Sequence, residues 1–174
     1  MARPAFHAPK GTQDILPPAS ARWEALLATY ASVVDRAGYG LVQSPMFEEL
    51  GVFQRETEGA DAVRKEMYDF EDKGGRRIAL RPEGTASIVR AFVQHQPPTP
   101  WKVWYATPAF RYERAQAGRY RQHHQVGLEV LGSADPDVDV EVISLGWEFL
   151  QALGLHQVEL LENTMGTAAD RLRY

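Results

Sequence analysis

An alternating run at residues 120–131 constrains the fold of this chain more than any other segment. Its apolar and polar side chains take turns, with Val126, Leu128 and Val130 in one set and Gln125, Gly127 and Glu129 in the other. Successive side chains of a β-strand point to opposite faces, so one face of this strand is apolar and the other is polar. Such a strand is typical of an antiparallel sheet that packs on a core by one face.

Helical and extended patterns mix along the rest of the chain without a regular βαβ alternation. Helices are predicted over residues 19–37, from Thr85 through His95, and after Asp135 and Pro136. Extended segments are predicted at residues 39–44, 67–71, 77–80, 101–105, 110–113 and 158–161, with a hairpin turn at 72–75. The buried face of the last helix is predicted to contain Val142, Ile143, Gly146, Trp147, Leu150 and Leu153.

These elements predict an α+β fold in which helices flank a largely antiparallel sheet. No glycine-rich phosphate loop follows a strand, which argues against Rossmann and P-loop nucleotide sites. A bound nucleotide would therefore have to be held by side chains.

Composition sets further bounds. The 174 residues suffice for one domain with a core. The chain has no cysteine, which excludes disulfides and thiolate metal sites and favours a reducing, cytoplasmic location. We expect no membrane span, because no apolar run approaches the roughly 20 residues it needs, and no secretory signal within residues 1–10. Because the formal net charge is −4, affinity for a polyanion must come from local basic clusters.

One basic cluster lies at residues 110–122, where Arg111, Arg114, Arg119 and Arg121 fall within eleven positions. On a strand, Arg111 and Glu113 would share a face. The planar guanidinium group matches phosphate or carboxylate oxygens, and Glu113 could accept a hydrogen bond from an amino group such as that of adenine. The alternative is an exposed ladder of salt bridges between two hairpin strands.

Two other places carry polar residues suited to a ligand. The face formed by Gln125, Gly127 and Glu129 could recognise a small cation or amide-like molecule that approaches over the glycine; the alternative is a plain solvent face. At a strand-to-helix junction, Glu83 and Thr85 could accept hydrogen bonds from an ammonium group. The alternative is that Thr85 only caps the helix.

The histidines do not predict a metal centre. His123 and His124 are adjacent, so they point to opposite faces of a strand and cannot both bind one ion. We therefore assign no metal ligand to the protein. No Ser/His/Asp or Cys/His arrangement is evident, so nucleophilic catalysis by a side chain has no support.

Five blocks, taken in order, resemble histidine–tRNA ligases, which are class II aminoacyl-tRNA synthetases, and the resemblance extends over nearly the whole chain. Residues 10–17 resemble the opening signature of the family, and residues 38–39 with 44–48 resemble motif 1, the dimer interface of this class. Residues 65–68 and 81–86 resemble two further blocks, and residues 110–132 contain motif 2.

The resemblance implies a role for each matching residue. Arg111 matches the arginine that bridges the α-phosphate of ATP and the amino-acid carboxylate, and Glu113 matches the residue that faces the adenine amino group. Arg119 and Arg121 match loop arginines near the phosphates and the acceptor end of the tRNA. The positions that hold histidine are matched by Glu83, Thr85 and Gln125 for the α-ammonium group, with Gly84 in the same loop, and by Glu129 for the imidazole.

The implied activity is ATP-dependent activation of histidine to histidyl-adenylate and transfer of the histidyl group to tRNA(His). Mg²⁺ would be held mainly by the ATP phosphates, and motif 1 would form a homodimer. Two positions depart from the family. His123 stands where a phenylalanine usually stacks on adenine, so we count it among the ATP-binding residues and expect altered ATP binding. Ala115 replaces a usual loop proline.

Family members continue with an inserted domain, motif 3, a tyrosine-rich segment specific for histidine and an anticodon-binding domain. We find none of these in residues 1–174 and expect the chain to be the N-terminal portion of the catalytic domain, with an incomplete site. Two alternatives remain: the non-catalytic, histidine-sensing regulatory subunit of ATP phosphoribosyltransferase, and an inactive dimerisation fragment. Residues 83–85 and the Glu113–Arg114 pair fit the ligase better than the regulatory subunit.

Overall fold

The computed structural model describes residues 6–54, 66–114 and 116–163. The family positions Lys65 and Ala115, and residues 164–174, lie outside the described residues. The helices are α1 (Ala19–Arg36), α2 (Thr85–His95) and α3 (Pro136–Ala152), with a 3-10 turn at Leu50–Phe53. The strands are β1 (Gly40–Leu41), β2 (Phe47–Glu49), β3 (Asp69–Glu71), β4 (Arg77–Leu80), β5 (Trp101–Phe110) and β6 (Gln122–Leu131).

The strands form two sheets in the described part of the chain. In the first, β5 lies between β1 and β6; β5 and β6 are antiparallel over ten pairs, from Trp101 opposite Leu131 to Phe110 opposite Gln122. The short strand β1 runs parallel to β5. In the second sheet, β4 pairs antiparallel with β2 and with β3, as the predicted hairpin requires. The predicted α+β fold with a largely antiparallel sheet is thus confirmed.

The β5–β6 sheet carries helices on both faces. On one face, β6 turns the predicted apolar set toward a core that α1 and α3 complete, with the buried residues Tyr30, Val33, Val34, Tyr39, Trp104, Leu145 and Phe149. On the other face, Ile88 of α2 packs against Val103 and Tyr105 of β5. Full burial of an aliphatic side chain such as Ile88 contributes about 1.5–3 kcal/mol, so these contacts hold α2 above the polar face of β6.

Helix termini follow local capping chemistry at α3 but not at α2. Asp135 is the N-cap of α3, and its carboxylate accepts a hydrogen bond from the amide of Asp137 at 3.0 Å. The N-cap of α2 is Gly84, and no side chain caps this helix. The prediction that Thr85 caps α2 is therefore wrong, because its hydroxyl has another partner.

Three further predictions are wrong in detail. Strand β5 ends at Phe110, so residues 111–114 are not a strand. The amide of Tyr112 donates to the carbonyl of Glu66 and is not part of the β5–β6 hydrogen-bond ladder. Residues 158–161 form no strand, since no described segment pairs with them. Helix α3 buries Leu145 and Phe149, whereas Trp147 is 40% exposed, because the position of α1 selects the buried face.

No helix in the described ranges is both long enough and apolar enough to cross a membrane.

Candidate functional site

The loop before α2 is bonded directly to the polar face of β6. The amide of Gly84 donates to Oε1 of Gln125 at 3.0 Å. The hydroxyl of Thr85 donates to Oε1 of Glu129 at 2.7 Å. Because both bonds are part-buried, the polar face of β6 is not the plain solvent face of the alternative interpretation. The two polar places found in the sequence are therefore one site.

The ring of Tyr105 fills the space between two glycines at this site. Tyr105 lies opposite Gly127 in the β5–β6 register and is 7% exposed. A Cβ on Gly127 would lie 2.3 Å from Cζ of Tyr105, and a Cβ on Gly84 would lie 2.2 Å from its Cε2. Both positions therefore need glycine so that the ring can fit. The expectation that a ligand approaches over Gly127 is corrected, because the tyrosine ring occupies that space.

Sequence reasoning missed Tyr105 as a site residue. Alternation along β5 places it on one face with Val103, but it does not say which residue of another strand it meets. The signal that could have found it is the pairing register, which sets an aromatic ring opposite a glycine.

Acidic groups surround the phenol of Tyr105. Burial raises the pKa of Tyr105, a hydrogen bond with Thr85 opposes that rise, and the carboxylates of Glu129 and Glu83 add to it. The phenol is therefore neutral at physiological pH and can donate a hydrogen bond. Two carboxylates beside a neutral phenol suit a ligand that carries positive charge or N–H donors.

Arg111 lies next to the same loop. Its Nε donates to the carbonyl oxygen of Pro82 at 3.0 Å, and its side chain is half-buried. The backbone amide of Arg111 donates to Arg121 at 2.8 Å, so the residue is held between the loop and the start of β6. This places a guanidinium group at Pro82, the loop residue before Glu83, where it can bind carboxylate or phosphate oxygens.

In the arginine-rich segment, Arg119 and Arg121 both contact Glu113. Nε of Arg119 lies 3.1 Å from Oε2 of Glu113, and Nε of Arg121 donates to the carbonyl oxygen of Glu113 at 3.1 Å. The guanidinium of Arg121 also stacks 3.9 Å from the ring centroid of Tyr112. Among the described residues of this segment, the predicted salt-bridge ladder is represented by the ion pair between Arg119 and Glu113. The argument that Arg111 and Glu113 share a strand face is wrong because β5 ends before them.

His123 and His124 differ in surroundings, as strand alternation predicts. Burial, and then the positive charge of Arg111, lowers the pKa of His123, so its imidazole is neutral at physiological pH. The ring of His124 lies 4.6 Å from that of Trp23 on α1. Both histidines border a cavity of about 400 Å³ that Gln13 and Tyr120 also line. A neutral aromatic ring at position 123 can stack on a base.

In the described part of the chain, these residues include no group of metal ligands, and a second cavity lies away from them. Within residues 6–54, 66–114 and 116–163, no three acidic, histidine or cysteine side chains are grouped so as to hold a metal ion. A cavity of about 780 Å³ lies elsewhere, between Gln43, Glu48, Arg90 and Trp101, and contains none of the predicted site residues.

Known proteins match this chain along most of its length. A family model described as histidyl-tRNA synthetase matches residues 11–167. A histidine–tRNA ligase from Synechocystis sp. is 50% identical over an alignment covering 98% of this chain and 39% of that protein. The apo histidyl-tRNA synthetase structure from S. aureus matches with a TM-score of 0.74 at 37% identity, covering 87% of this chain and 40% of that one.

A solved structure from Bacillus halodurans, described as an ATP phosphoribosyltransferase regulatory subunit/histidyl-tRNA synthetase, matches with a TM-score of 0.76. Its identity of 23% supports the fold alone; the match covers 90% of this chain and 40% of that one. The chain spans about two fifths of the length of the relatives it matches. The family model nevertheless covers most of the chain, and identity to the ligases reaches half of the aligned positions. The chain belongs to the histidyl-tRNA synthetase family.

Proposed function

We propose that this chain carries the histidine- and ATP-recognition part of a histidine–tRNA ligase, which activates histidine as histidyl-adenylate and transfers it to tRNA(His). The observation that carries the proposal is the joined loop and strand, in which Gly84 binds Gln125 and Thr85 binds Glu129. This junction gathers the residues that the family resemblance assigns to histidine, and relatives that share half of the aligned positions are named histidine–tRNA ligases.

The acidic side of the site suits histidine. Glu83, Thr85 and Gln125 would hold the α-ammonium group, and Glu129 would accept a hydrogen bond from the imidazole. An apolar amino acid of similar size could not form these hydrogen bonds, and a site built to hydrogen-bond its substrate rejects such an analogue far more strongly than one that lacks a methylene group. The chemistry of the site therefore supports selection of a cationic, hydrogen-bonding substrate.

The basic side of the site suits ATP. Arg111 would bridge the α-phosphate and the histidine carboxylate, while Glu113 and His123 would contact the adenine. Arg119 and Arg121 would lie near the phosphates and the acceptor end of the tRNA.

In the first step, a carboxylate oxygen of histidine attacks the α-phosphorus in line, and pyrophosphate leaves. A terminal ribose hydroxyl of the tRNA then attacks the histidyl carbonyl, and AMP leaves. Arg111 positions the two reactants and stabilises the developing charge, so no covalent enzyme intermediate is required. Mg²⁺ would be held mainly by the ATP phosphates.

The proposal includes the placement of this chain in the protein. Residues 1–174 would be the N-terminal portion of the catalytic domain, with motifs 1 and 2, in a cytoplasmic homodimer formed through the motif 1 region. Three apolar side chains in or next to this region support an interface, since Leu41, Met46 and Phe47 are each about half exposed.

Histidine-dependent exchange of pyrophosphate into ATP tests the proposal, with Arg111→Ala as the control. We expect exchange that requires histidine and is lost in the variant. A folded chain without exchange would contradict an adenylation site in residues 1–174. Calorimetry with histidine alone then separates a chain that keeps the amino-acid pocket from an inactive dimerisation fragment, which would bind none.

A further inference from the structure

We infer that Arg81 is a positioning residue, which ties the segment of residues 44–46 to both the histidine-binding loop and the end of β5 that precedes Arg111. The effect of Arg81 on KM values rests on the proposed function of this site. Its effect on amide hydrogen exchange does not depend on activity.

The side chain of Arg81 is 3% exposed and binds oxygen atoms of two separate segments. Its Nε donates to the carbonyl oxygen of Pro108 at 2.8 Å. Its Nη1 lies 3.1 Å from the carbonyl oxygen and 3.0 Å from Oγ of Ser44, and 3.2 Å from the carbonyl oxygen of Pro45. One rigid guanidinium group therefore connects positions that lie 27 and 37 residues away from it.

The backbone of Arg81 extends the same connection. Its amide donates to Met46 at 3.0 Å, and its carbonyl accepts from the amide of Phe110 at 2.9 Å. Phe110 precedes Arg111, whose Nε returns to the carbonyl of Pro82, the residue after Arg81. The contacts close a ring that runs from Arg81 through Phe110 and Arg111 to Pro82. Moving any member of this ring moves Arg111 and the loop that carries Glu83 together.

The chemistry of the contact requires arginine. Burial lowers the pKa of Arg81, while the nearby negative charge of Glu48 opposes that change, and a guanidinium remains protonated in any case. Lysine keeps the charge but has one nitrogen, so it cannot reach Pro108 and the Ser44–Pro45 carbonyls in the same geometry. The hydrogen bonds described for its guanidinium group go to Ser44, Pro45 and Pro108 and not to Glu83 or Arg111, so its effect on these residues is through backbone position.

Hydrogen exchange of single amides in Arg81→Lys tests the inference in the full chain. The reporters are the amides of Gly84 and Phe110, and the reference is the amide of Phe149 within α3. We expect exchange at both reporters to accelerate by about tenfold or more while the reference stays unchanged. Unchanged reporters would overturn the inference. Equal acceleration at all three amides would also overturn it, since that result describes a loss of overall stability.

A milder variant keeps the test valid if Arg81→Lys fails to fold. Ser44→Ala removes one acceptor of Nη1 and leaves the carbonyl acceptors in place. With Arg81 itself unchanged, this variant should accelerate hydrogen exchange at the amides of Gly84 and Phe110 by about threefold and leave exchange at the Phe149 amide unchanged. No local acceleration would overturn the inference.

Kinetics separate positioning from a loss of folded protein. In Arg81→Lys, the KM for histidine should rise about fivefold or more because the loop with Glu83 and Thr85 shifts, and the KM for ATP should rise as well because Arg111 moves with that loop. A fall in kcat alone would indicate fewer folded molecules and would count against positioning. If the wild-type chain shows no pyrophosphate exchange but the amide reporters respond to Arg81→Lys, the proposed function fails and the inference on Arg81 stands. If the wild-type chain is active but the reporters do not respond, the inference fails and the proposed function stands.

Discussion

Replacing Gly127 by alanine tests whether the ring of Tyr105 is held between the loop and β6. The added Cβ would lie 2.3 Å from Cζ and 2.4 Å from Oη of Tyr105, whereas ordinary contact needs 3.4 Å or more. The ring would have to move by about 1 Å, but Gly84 already lies against its other side. The backbone of Gly127 is extended and does not itself disfavour alanine, so the ring contact alone decides the outcome.

The cost follows from the closeness of this packing. Forcing a methyl group into a filled space costs about 1–3 kcal/mol. We therefore expect the free energy of unfolding to fall by about 2 kcal/mol, which lowers Tm by about 4–8 °C in a chain of this length. Displacing the ring also disturbs the bond between Thr85 and Glu129, so the Kd for histidine should rise about tenfold, equivalent to about 1.4 kcal/mol.

Thermal unfolding and calorimetry with histidine measure the two effects, and Gly146→Ala is the matched control. Gly146 lies inside α3, and nothing lies within 4 Å of the Cβ that alanine would add. Alanine is the better helix former there, so the control should be more stable by about 0.5–1 kcal/mol. The reasoning is refuted if Gly127→Ala unfolds within about 0.5 kcal/mol of wild type and binds histidine equally well.

Three other predictions follow from the contacts described. Arg111→Lys should slow histidine-dependent exchange by about tenfold or more, because lysine keeps the charge but loses the planar fork; a wild-type rate would contradict this. Because the pKa of His123 is lowered in the folded chain, its contribution to stability is complete above the unfolded value of 6.5 and is lost as pH falls below it. Urea unfolding at about pH 5.5 and 7.5 should therefore show a smaller stability difference in His123→Phe, and an identical difference would refute it. In the wild-type chain, nitrogen atoms of Arg90 lie 2.5 Å and 3.0 Å from the carboxylate oxygens of Glu48, and Glu48→Gln removes this charge partner. We expect the free energy of unfolding to fall by about 2 kcal/mol, and an unchanged Tm in thermal unfolding would contradict this.

The parts of the fold that depend on local periodicity could be predicted from the sequence. The alternation in β6 correctly separated the core-facing set from Gln125 and Glu129, because a strand has a period of two wherever it lies. The helix from Ala19 was also predicted to within one residue of its end at Arg36. In both cases the apolar pattern and the observed burial have the same period.

The errors occur where tertiary contacts override a local pattern. Trp147 and Leu145 both lie on α3, and only the position of α1 decides which of them is buried. The strand assumed to carry Arg111 and Glu113 ends at Phe110, because the amide of Tyr112 donates to the carbonyl of Glu66 and the amide of Glu113 donates to the carbonyl of Arg111 instead of to β6. A pattern of residue types cannot contain either fact, since each depends on a segment distant in sequence.

The same reasoning explains which site residues the sequence can identify. Side chains that would meet a ligand, such as Arg111 and Glu129, have functional groups whose chemistry can be recognised from residue type. Arg81 binds carbonyl oxygens of Ser44, Pro45 and Pro108, and every residue has such an oxygen, so no residue type marks those partners. Charge removed from water must nevertheless be compensated, and a buried arginine is therefore evidence that backbone acceptors have been brought to it. For this reason the contribution of Arg81 to the site can be inferred only after the chain is folded, although its effect reaches Arg111 through two hydrogen bonds, from Phe110 to Arg81 and from Arg111 to Pro82.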